Sequence, residues 1–543
     1  MRSSPQSKEK RRARVPAFAR LPVLLLAGLA ALMFGTGCTR DEMSAGGSNA
    51  IELRPSIVLV VIESLRTDVV ATYANDPSSP FSREGLSATP HLDALASEGE
   101  RHVWAFSDSP DTVASHASLF TGLRVDQHGV GLFGQPTAPA SLETLAERLR
   151  AAGYQTAGFA ENPMLGRDFG LEQGFDVFET PGASQVAANV RARRGAAEGF
   201  DVVEQVRRWY TRRDPNKPWF LFVNLADPQL PLGPAAHPEF LPEGVSETRV
   251  HNILTGGDLR DAICRKLPDP ETLEILRGLY ESRVAEADEK LGRLLALTRT
   301  PSESPLWIVT SDHGTHFGEH KLLGHAFDVD HRALHVPLIV AGPKIAPRIA
   351  RTPVALHRVA DSIRCTAGEA AACATALPGE DRPESEASAE PILSIYADDR
   401  ALLPTSAVVE TGSLVGDTQN GRVHCARSEP VFGRAVSLIR FPMKLSWREG
   451  GRYQLHDLSW DPAERADQLE RQPEIAARLR AELDAFVAEN GLTKRTRETA
   501  SGSLRQRAEA SFKAGMRTVI ASPRTEVDAV WFAQLALRHR PRP

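Results

Sequence analysis

A chain of 543 residues with 64 basic and 69 acidic side chains, formal net charge −5, is long enough for a large core and more than one domain. Charges of both signs are mixed along it, so no clustered basic face marks a nucleic-acid binder, and nucleic acid is excluded as a partner. Gly and Pro are plentiful but dispersed, which excludes a low-complexity or fibrous chain.

The chain opens with a basic region, Lys8, Lys10, Arg11, Arg12 and Arg14, followed by an apolar run from Leu21 to Phe34 and then Gly35-Thr36-Gly37-Cys38. This is the layout of a secretory signal, and small residues directly before a cysteine predict a lipoprotein signal with Cys38 as the lipidated residue, an uncleaved anchor and plain secretion being the alternatives. The run is short for a transmembrane helix. The expectation is an exported, lipid-anchored protein of the cell envelope, periplasmic or outer-membrane, with residues 1–38 as signal and 39–55 as a linker carrying Gly46-Gly47-Ser48. Four further cysteines remain, Cys264, Cys365, Cys373 and Cys425. An exported chain can keep disulfides. Cys365 and Cys373 are close enough to close a small loop, and pairings with Cys264 or Cys425 are equally open.

From Ser56 the pattern becomes that of a folded domain. Ile57 to Ile62 is a continuous apolar, mostly β-branched run, which predicts a strand buried on both faces. It ends in Glu63-Ser64. Pro90 to Ala96 opens a helix with Gly99 beyond its end. Ser107 to Val130 runs from a polar loop through Pro110 and Asp111 into a short apolar helix, then a Gly- and His-bearing turn. Thr112 stands at the start of that helix, either as its cap or as a hydroxyl where backbone N–H groups favour negative charge. Leu142 to Ala152 predicts a helix, Thr156 to Ala160 a strand, and Val202 to Tyr210 a helix. Trp219 to Leu225 is an apolar strand ending at Asp227-Pro228-Gln229. Glu271 to Leu297 is a long helix. Leu306 to Thr310 is a strand ending in Ser311-Asp312-His313-Gly314, and Val336 to Val340 is a further strand.

Alternating strands and helices predict an α/β fold, a mixed, mostly parallel sheet sandwiched by helices. Ligands of such sheets bind beyond the carboxyl ends of the strands, where Glu63, Asp227 and Asp312 lie. This domain is expected over 56–390, with Ala367 to Glu390 as a surface excursion. Shorter strands follow at Ile392–Ile395, Ala407–Val409, Ala435–Ile439, Met443–Leu445 and Tyr453–Leu458, then a helix from Pro473 to Phe486. They predict a smaller antiparallel-sheet subdomain over 391–493. The tail 494–543 is rich in Arg, with one weak helical pattern from Leu504 to Met516.

Glu63, Thr112, Asp312 and His313 offer two carboxylates, a hydroxyl and an imidazole at one sheet edge. That set suits one divalent metal ion, which would activate the Thr112 hydroxyl and neutralise an anion. Each residue also has a structural reading: the acids as strand-end ion pairs, His313 as a packed loop histidine.

The pieces IVLVVIESLRTD, TPHLDALASEGERHVWAF, TVASHASLFTGLRVDQHGV, TLAERLRAAGYQTAGFAENPML, WFLFVNLADPQLPLGP, IVTSDHGTHFGEHKLLGH with HVPLIVAGP, and YQLHDLSWDPAER occur in this order. Together they resemble the sulfatase family of the alkaline phosphatase superfamily. The resemblance implies an alkaline-phosphatase-like sandwich with a C-terminal subdomain. It implies an ester hydrolase or transferase, and metal ligands Glu63, Asp312 and His313 with Thr112. Thr112 stands where sulfatases carry the Cys or Ser converted to formylglycine, and threonine cannot be so converted. The usual CxPSR core reads Thr112-Val113-Ala114-Ser115-His116, and Ser64 replaces a frequent second Asp. The Glu, Thr, Asp, His set is similar to the phosphotransfer branch of the superfamily, and a nitrogen ligand moves the metal preference from Ca²⁺ towards Mn²⁺ or Zn²⁺. The family's D-P-H-x-P motif reads Asp227-Pro228-Gln229-Leu230-Pro231. Gln229 can donate a hydrogen bond to the ester but cannot protonate a leaving group. His325 and His116 are then the expected proton movers and His128 an anion contact. The expected substrate is a small anionic phosphate or sulfate ester, or an envelope glycan or lipid. A sulfuric ester hydrolase without formylglycine and a catalytically impaired envelope-binding relative are the rivals.

Overall fold

The computed structural model describes residues 54–73, 87–132, 135, 137–181, 200–230, 232–255, 268–300, 303–325, 328–377, 391–397 and 434–493. The signal and anchor expectations, Cys38, Cys264, Cys425, the Ala407–Val409 strand and the Leu504–Met516 helix lie outside them. Among the described residues no helix is long and apolar enough to cross a membrane.

The main elements run in the order β1 (Ile57–Ile62), α1 (Pro90–Glu98), β2 (Glu100–Phe106), α2 (Thr112–Thr121), α3 (Leu145–Ala151), β3 (Gln155–Ala160), β4 (Val177–Glu179), α4 (Val202–Tyr210) and β5 (Trp219–Leu225). They continue with α5 (Pro270–Thr298), β6 (Leu306–Thr310), β7 (His335–Ala341), β8 (Arg348–Ala350), β9 (Val354–Ala355) and α6 (Arg358–Thr366). The strands form one sheet in the order β8-β2-β7-β6-β1-β5-β3-β4, with β9 also on β2. β1 pairs in parallel with β5 and β6 on its two sides, and β3 extends the parallel run. Only β7 is reversed among the described strands, antiparallel to both β2 and β6.

The period of two along β1 explains the sandwich. Val58, Val60 and Ile62 enter one core with Leu92 of α1, Val206 of α4 and Leu279 of α5. Ile57, Leu59 and Val61 enter the other, with Val113 and Phe120 of α2, Leu149 of α3 and Val359 of α6. All six β1 residues are buried, each contributing about 1.5–3 kcal/mol of burial. The helices start where capping chemistry places them. Thr144 and Glu147 form a capping box at α3, and Asp269 caps α5 ahead of Pro270.

A second, antiparallel sheet is built from β10 (Ile392–Tyr396), β11 (Ala435–Arg440), β12 (Met443–Arg448) and β13 (Arg452–Asp457), in that order. Leu479, Leu483 and Val487 of α7 (Pro473–Glu489) cover it. Ala114 of α2 belongs to the same apolar cluster, and both sheets lie in one compact unit. The Ile395 N–H donates to the Asp108 carbonyl (2.9 Å) and Ser394 Oγ to that of Ser107 (2.7 Å). The small sheet thereby braces the loop that leads into α2.

Two expectations change. β2 and α6 are regular elements that the period analysis passes over. The start of the expected surface excursion is instead ordered, with Ala370–Ala374 forming a 3₁₀ turn and Cys365 bonded to Cys373.

Candidate active site

β1, β5 and β6 run side by side and end together, so the residues that follow them meet at one edge. Glu63 follows β1 and is fully buried. Ser64 next to it takes a positive φ of 56°, an unusual state for a residue with a Cβ. That turn lets the Ser64 N–H donate to Asp312 Oδ1 (3.0 Å), tying the β1 end to the β6 end. Tyr280 of α5 fastens the same turn through its hydroxyl, which donates to the Ser64 carbonyl (2.8 Å).

Asp312 is held from several sides. Its Oδ1 also accepts from the His313 N–H (2.9 Å), and its carbonyl accepts from the hydroxyls of Ser115 (2.7 Å) and Ser107. Its Oδ2 is buried without a hydrogen-bond partner. Gly314 allows the tight passage that follows, since a Cβ there would lie 1.9 Å from the Arg332 carbonyl oxygen.

Thr112 is the first helical residue of α2. The cap is Asp111, whose Oδ1 accepts from the N–H groups of Val113 and Ala114 (3.1 Å each). The Thr112 side chain is therefore free of capping duty, and Oγ1 lies 3.1 Å from His313 Nε2. His313 Nδ1 donates to the Gly314 carbonyl (2.9 Å), so Nε2 carries a lone pair and accepts the Thr112 hydroxyl proton. The same Nε2 sits 3.2 Å from Asp312 Oδ2. Two acceptors face each other there, which explains why Oδ2 stays unpartnered despite its neighbour.

Burial, followed by the charge of Asp312, pushes the Glu63 carboxyl well above the ordinary range, and burial also raises Asp312. His313 is pushed down to about 4 by burial. Among the described residues, His, Cys, Asp and Glu side chains form no ready-made cage of three or more around a cation. The donor types nevertheless suit one: the buried carboxylates of Glu63 and Asp312, the lone pair of His313 Nε2 and the Thr112 hydroxyl stand at one sheet edge, and Asp312 Oδ2 has no hydrogen-bond partner.

The other expected residues fall in different places. His325 stacks on His313, ring centroids 4.0 Å apart. Its Nδ1 donates to the Pro110 carbonyl (3.1 Å), and its Nε2 accepts from the Gln229 amide (2.9 Å). Gln229 accepts in turn from the Ser64 hydroxyl. Gln229 thus bridges the β1 turn to His325. Burial and then His313 push His325 down to about 3, which favours the neutral ring. His116 lies beside the same cluster, its Nδ1 3.9 Å from Asp312 Oδ2. It lies one turn along α2 and points inward, Nδ1 donating to the Thr112 carbonyl (2.8 Å), its ring edge-on to Phe120 and Phe222. It is fully buried, burial lowers its pKa, and its Nε2 has no partner. His128 stands apart from the Thr112 cluster. Its Nδ1 accepts from the Val130 N–H (3.0 Å) and its Nε2 meets Ser118 Oγ (2.9 Å), so it braces the turn after α2.

Sequence reasoning missed two asparagines. Asn224 and Asn162 donate to Glu63 Oε1 (2.8 Å) and Oε2 (3.1 Å). The available signal was Asn224 itself, one amide in an otherwise apolar strand, because a buried polar group needs a partner. Beside them Lys290 Nζ binds Glu161 (2.6 Å) and Asp227 (2.8 Å), and Arg283 also holds Asp227 (2.8 Å). Burial and then Asp227 raise Glu161 to about 7.

The family model described as Sulfatase matches residues 55–368. An arylsulfatase of Clostridium perfringens is 22% identical over 342 residues, 54% of this chain and 69% of its own. A choline-sulfatase of Rhizobium meliloti is 23% identical over 416 residues, 66% of this chain and 77% of its own. Among solved structures, the phosphonate monoester hydrolase of Agrobacterium radiobacter superposes with a TM-score of 0.53 at 18% identity, covering 80% of this chain and 96% of its own. A 2-O GAG sulfatase superposes with a TM-score of 0.55 at 17% identity, covering 81% and 93%. The matched span includes Glu63, Thr112, Asp312 and His313. With that span more than half the chain, and with the sheet carrying those residues at one edge, the protein belongs to the sulfatase family and is an ester hydrolase of the alkaline-phosphatase-like fold.

Proposed function

We propose that this sulfatase-family member is an exported, divalent-cation-dependent enzyme. It cleaves or transfers phosphate or sulfate esters with Thr112 as the nucleophile, phosphoesters being preferred. The observation that carries this reading is the Thr112 hydroxyl, free of capping duty and hydrogen-bonded to His313 Nε2 beside the unpartnered Asp312 Oδ2. Glu63, Asp312, His313 and Thr112 would hold one ion, Mn²⁺, Zn²⁺ or Ca²⁺, the nitrogen donor favouring the first two. When bound, the ion supplies charge neutralisation for the anionic ester and makes a nearby hydroxyl easier to deprotonate.

In this reading Thr112 gives up its proton to solvent. Its Oγ1 bonds to phosphorus or sulfur as the bond to the leaving oxygen breaks, and that oxygen takes a proton from water. Water or an acceptor alcohol then attacks the threonyl ester, releasing the product and restoring the hydroxyl. Gln229, whose amide keeps a second N–H, orients the ester, and His325, both nitrogens engaged with Pro110 and Gln229, holds that amide in place. The phosphoester preference rests on threonine having no route to formylglycine. Structural neighbours include both phosphonate monoester hydrolases and sulfatases, and one was solved with D-glucosamine-2-N,6-O-disulfate, in keeping with a small anionic ester as substrate. The Cys365–Cys373 disulfide and the lipoprotein-type signal ending at Cys38 support export and a lipid anchor at the cell envelope.

The test is turnover of aryl phosphodiesters, aryl phosphonates and aryl sulfates with each of the three ions. Thr112→Ala is expected to abolish turnover and Thr112→Ser to retain part of it. Equal turnover by wild type and Thr112→Ala overturns the nucleophile. A metal-free protein inert to every ester favours the envelope-binding reading.

A further inference from the structure

Glu63 is fully buried, yet among the described residues no basic side chain pairs with it. Two neutral amides meet it instead, one on each carboxylate oxygen: Asn224 Nδ2 at 2.8 Å and Asn162 Nδ2 at 3.1 Å. The amides are themselves locked. The Asn162 N–H donates to Asn224 Oδ1 (3.1 Å), and Asn162 Oδ1 accepts from the Met164 N–H (2.9 Å). Their backbones are fixed just as firmly. Asn224 pairs in register with Val61 across β1 and β5, and the Glu63 N–H donates to the Leu225 carbonyl (2.9 Å).

The choice of neutral donors matters. A lysine or arginine here would neutralise the carboxylate and compete with any cation. An amide uses one lone pair of each oxygen, sets the plane of the carboxylate, and leaves its charge and its remaining lone pairs unspent. Lys290 shows that the fold places a basic side chain when one is wanted. It sits close by on Glu161, the residue before Asn162, and on Asp227. The basic partner stops one residue short of the Glu63 cradle.

We propose that Asn162 and Asn224 are positioning residues for the cation site: they fix the Glu63 carboxylate in one orientation and leave its free lone pairs for a divalent ion shared with Asp312 and His313. This rests on the reading that the site takes such an ion. Partners that orient a ligand typically change metal affinity by about ten- to a hundredfold when removed.

The experiment is calorimetric titration of the full-length, chelator-stripped protein with Mn²⁺, for wild type, Asn224→Leu and Asn162→Ala, alongside metal-free melting curves. The expected result is an Mn²⁺ Kd raised about ten- to a hundredfold in both variants, with the Mn²⁺-induced rise in Tm reduced in parallel. Loss of the Asn162 cap should lower the metal-free Tm of Asn162→Ala, and the raised Kd should persist at temperatures where both proteins are fully folded, a split that a merely structural asparagine would not give. Either variant, folded and binding Mn²⁺ with the wild-type Kd, overturns the proposal. Should Asn224→Leu not fold, Asn162→Ala, at the less buried side of the cradle, decides alone. Wild type that binds none of Mn²⁺, Zn²⁺ or Ca²⁺ overturns the cation reading itself, and the proposal with it.

Discussion

Replacing His316 with Gln tests how the loop after His313 is held. His316 is fully buried, its Nδ1 donates to the Gly324 carbonyl (2.8 Å), and its Nε2 binds the Asp330 carboxylate. Asp330 also caps the short helix His331–Leu334 through the Arg332 N–H (2.7 Å). Burial opposes the charged ring, but Asp330 outweighs it and lifts His316 from the ordinary 6.5 to about 9, while Asp330 is held well below the carboxylate range. At about 1.4 kcal/mol per pH unit, that rise corresponds to about 3 kcal/mol of stability. Because the folded-state value is raised, the contribution is complete below about pH 6.5 and is lost as pH climbs through about 9. Denaturant unfolding of wild type and His316→Gln, followed by circular dichroism at about pH 6 and about pH 10, reads the difference directly. Wild type should lead by about 3 kcal/mol at the lower pH and by much less at the higher. An equal gap at both pH values would show that packing, not the His316–Asp330 ion pair, holds the loop.

Two further substitutions probe the frame around the site. Gly314→Ala places a methyl group against the Arg332 carbonyl. Overpacking should cost about 1–3 kcal/mol and turnover should fall with it; a Tm within error of wild type refutes that tight approach. Replacing Cys365 and Cys373 together with Ser removes a bridge across a separation of 8 residues. A loop of that size predicts a loss of about 2.5 kcal/mol in denaturant unfolding, with ester turnover at moderate temperature unchanged because the bridge joins the last turn of α6 to the 3₁₀ turn that follows it and neither cysteine is a site residue. An unchanged denaturation midpoint refutes the stabilising role.

The frame of the molecule was legible because burial leaves a periodic trace. β1, β5 and β6 are apolar runs, and each ends in the polar residues that meet at the edge. β2 was harder, since Arg101 and His102 interrupt the pattern in a strand whose burial is mixed. Thr112, Glu63, Asp312 and His313 could be named from residue type and strand-end position. What their neighbours do could not. Asn162 and Asn224 reach Glu63 across 99 and 161 residues, a distance over which local pattern carries no signal. The surroundings of His116 could not be read from spacing either. Four residues after Thr112 it lies on the same helix face, but its ring turns back to the Thr112 carbonyl and into the Phe120–Phe222 core. The two nitrogens of His325 meet Pro110 and Gln229, contacts that spacing does not reveal. Asp111, not Thr112, proved to be the helix cap, which leaves the Thr112 hydroxyl to His313.

The most direct measurement is peptide mass spectrometry of the protein quenched during turnover of a slow aryl phosphodiester in the presence of Mn²⁺. Thr112 as nucleophile predicts a phosphoryl-ester adduct on the peptide that contains Thr112. The adduct should be absent from Thr112→Ala and should disappear as substrate is exhausted. Turnover with no adduct at Thr112, or an adduct on another residue, would contradict the account.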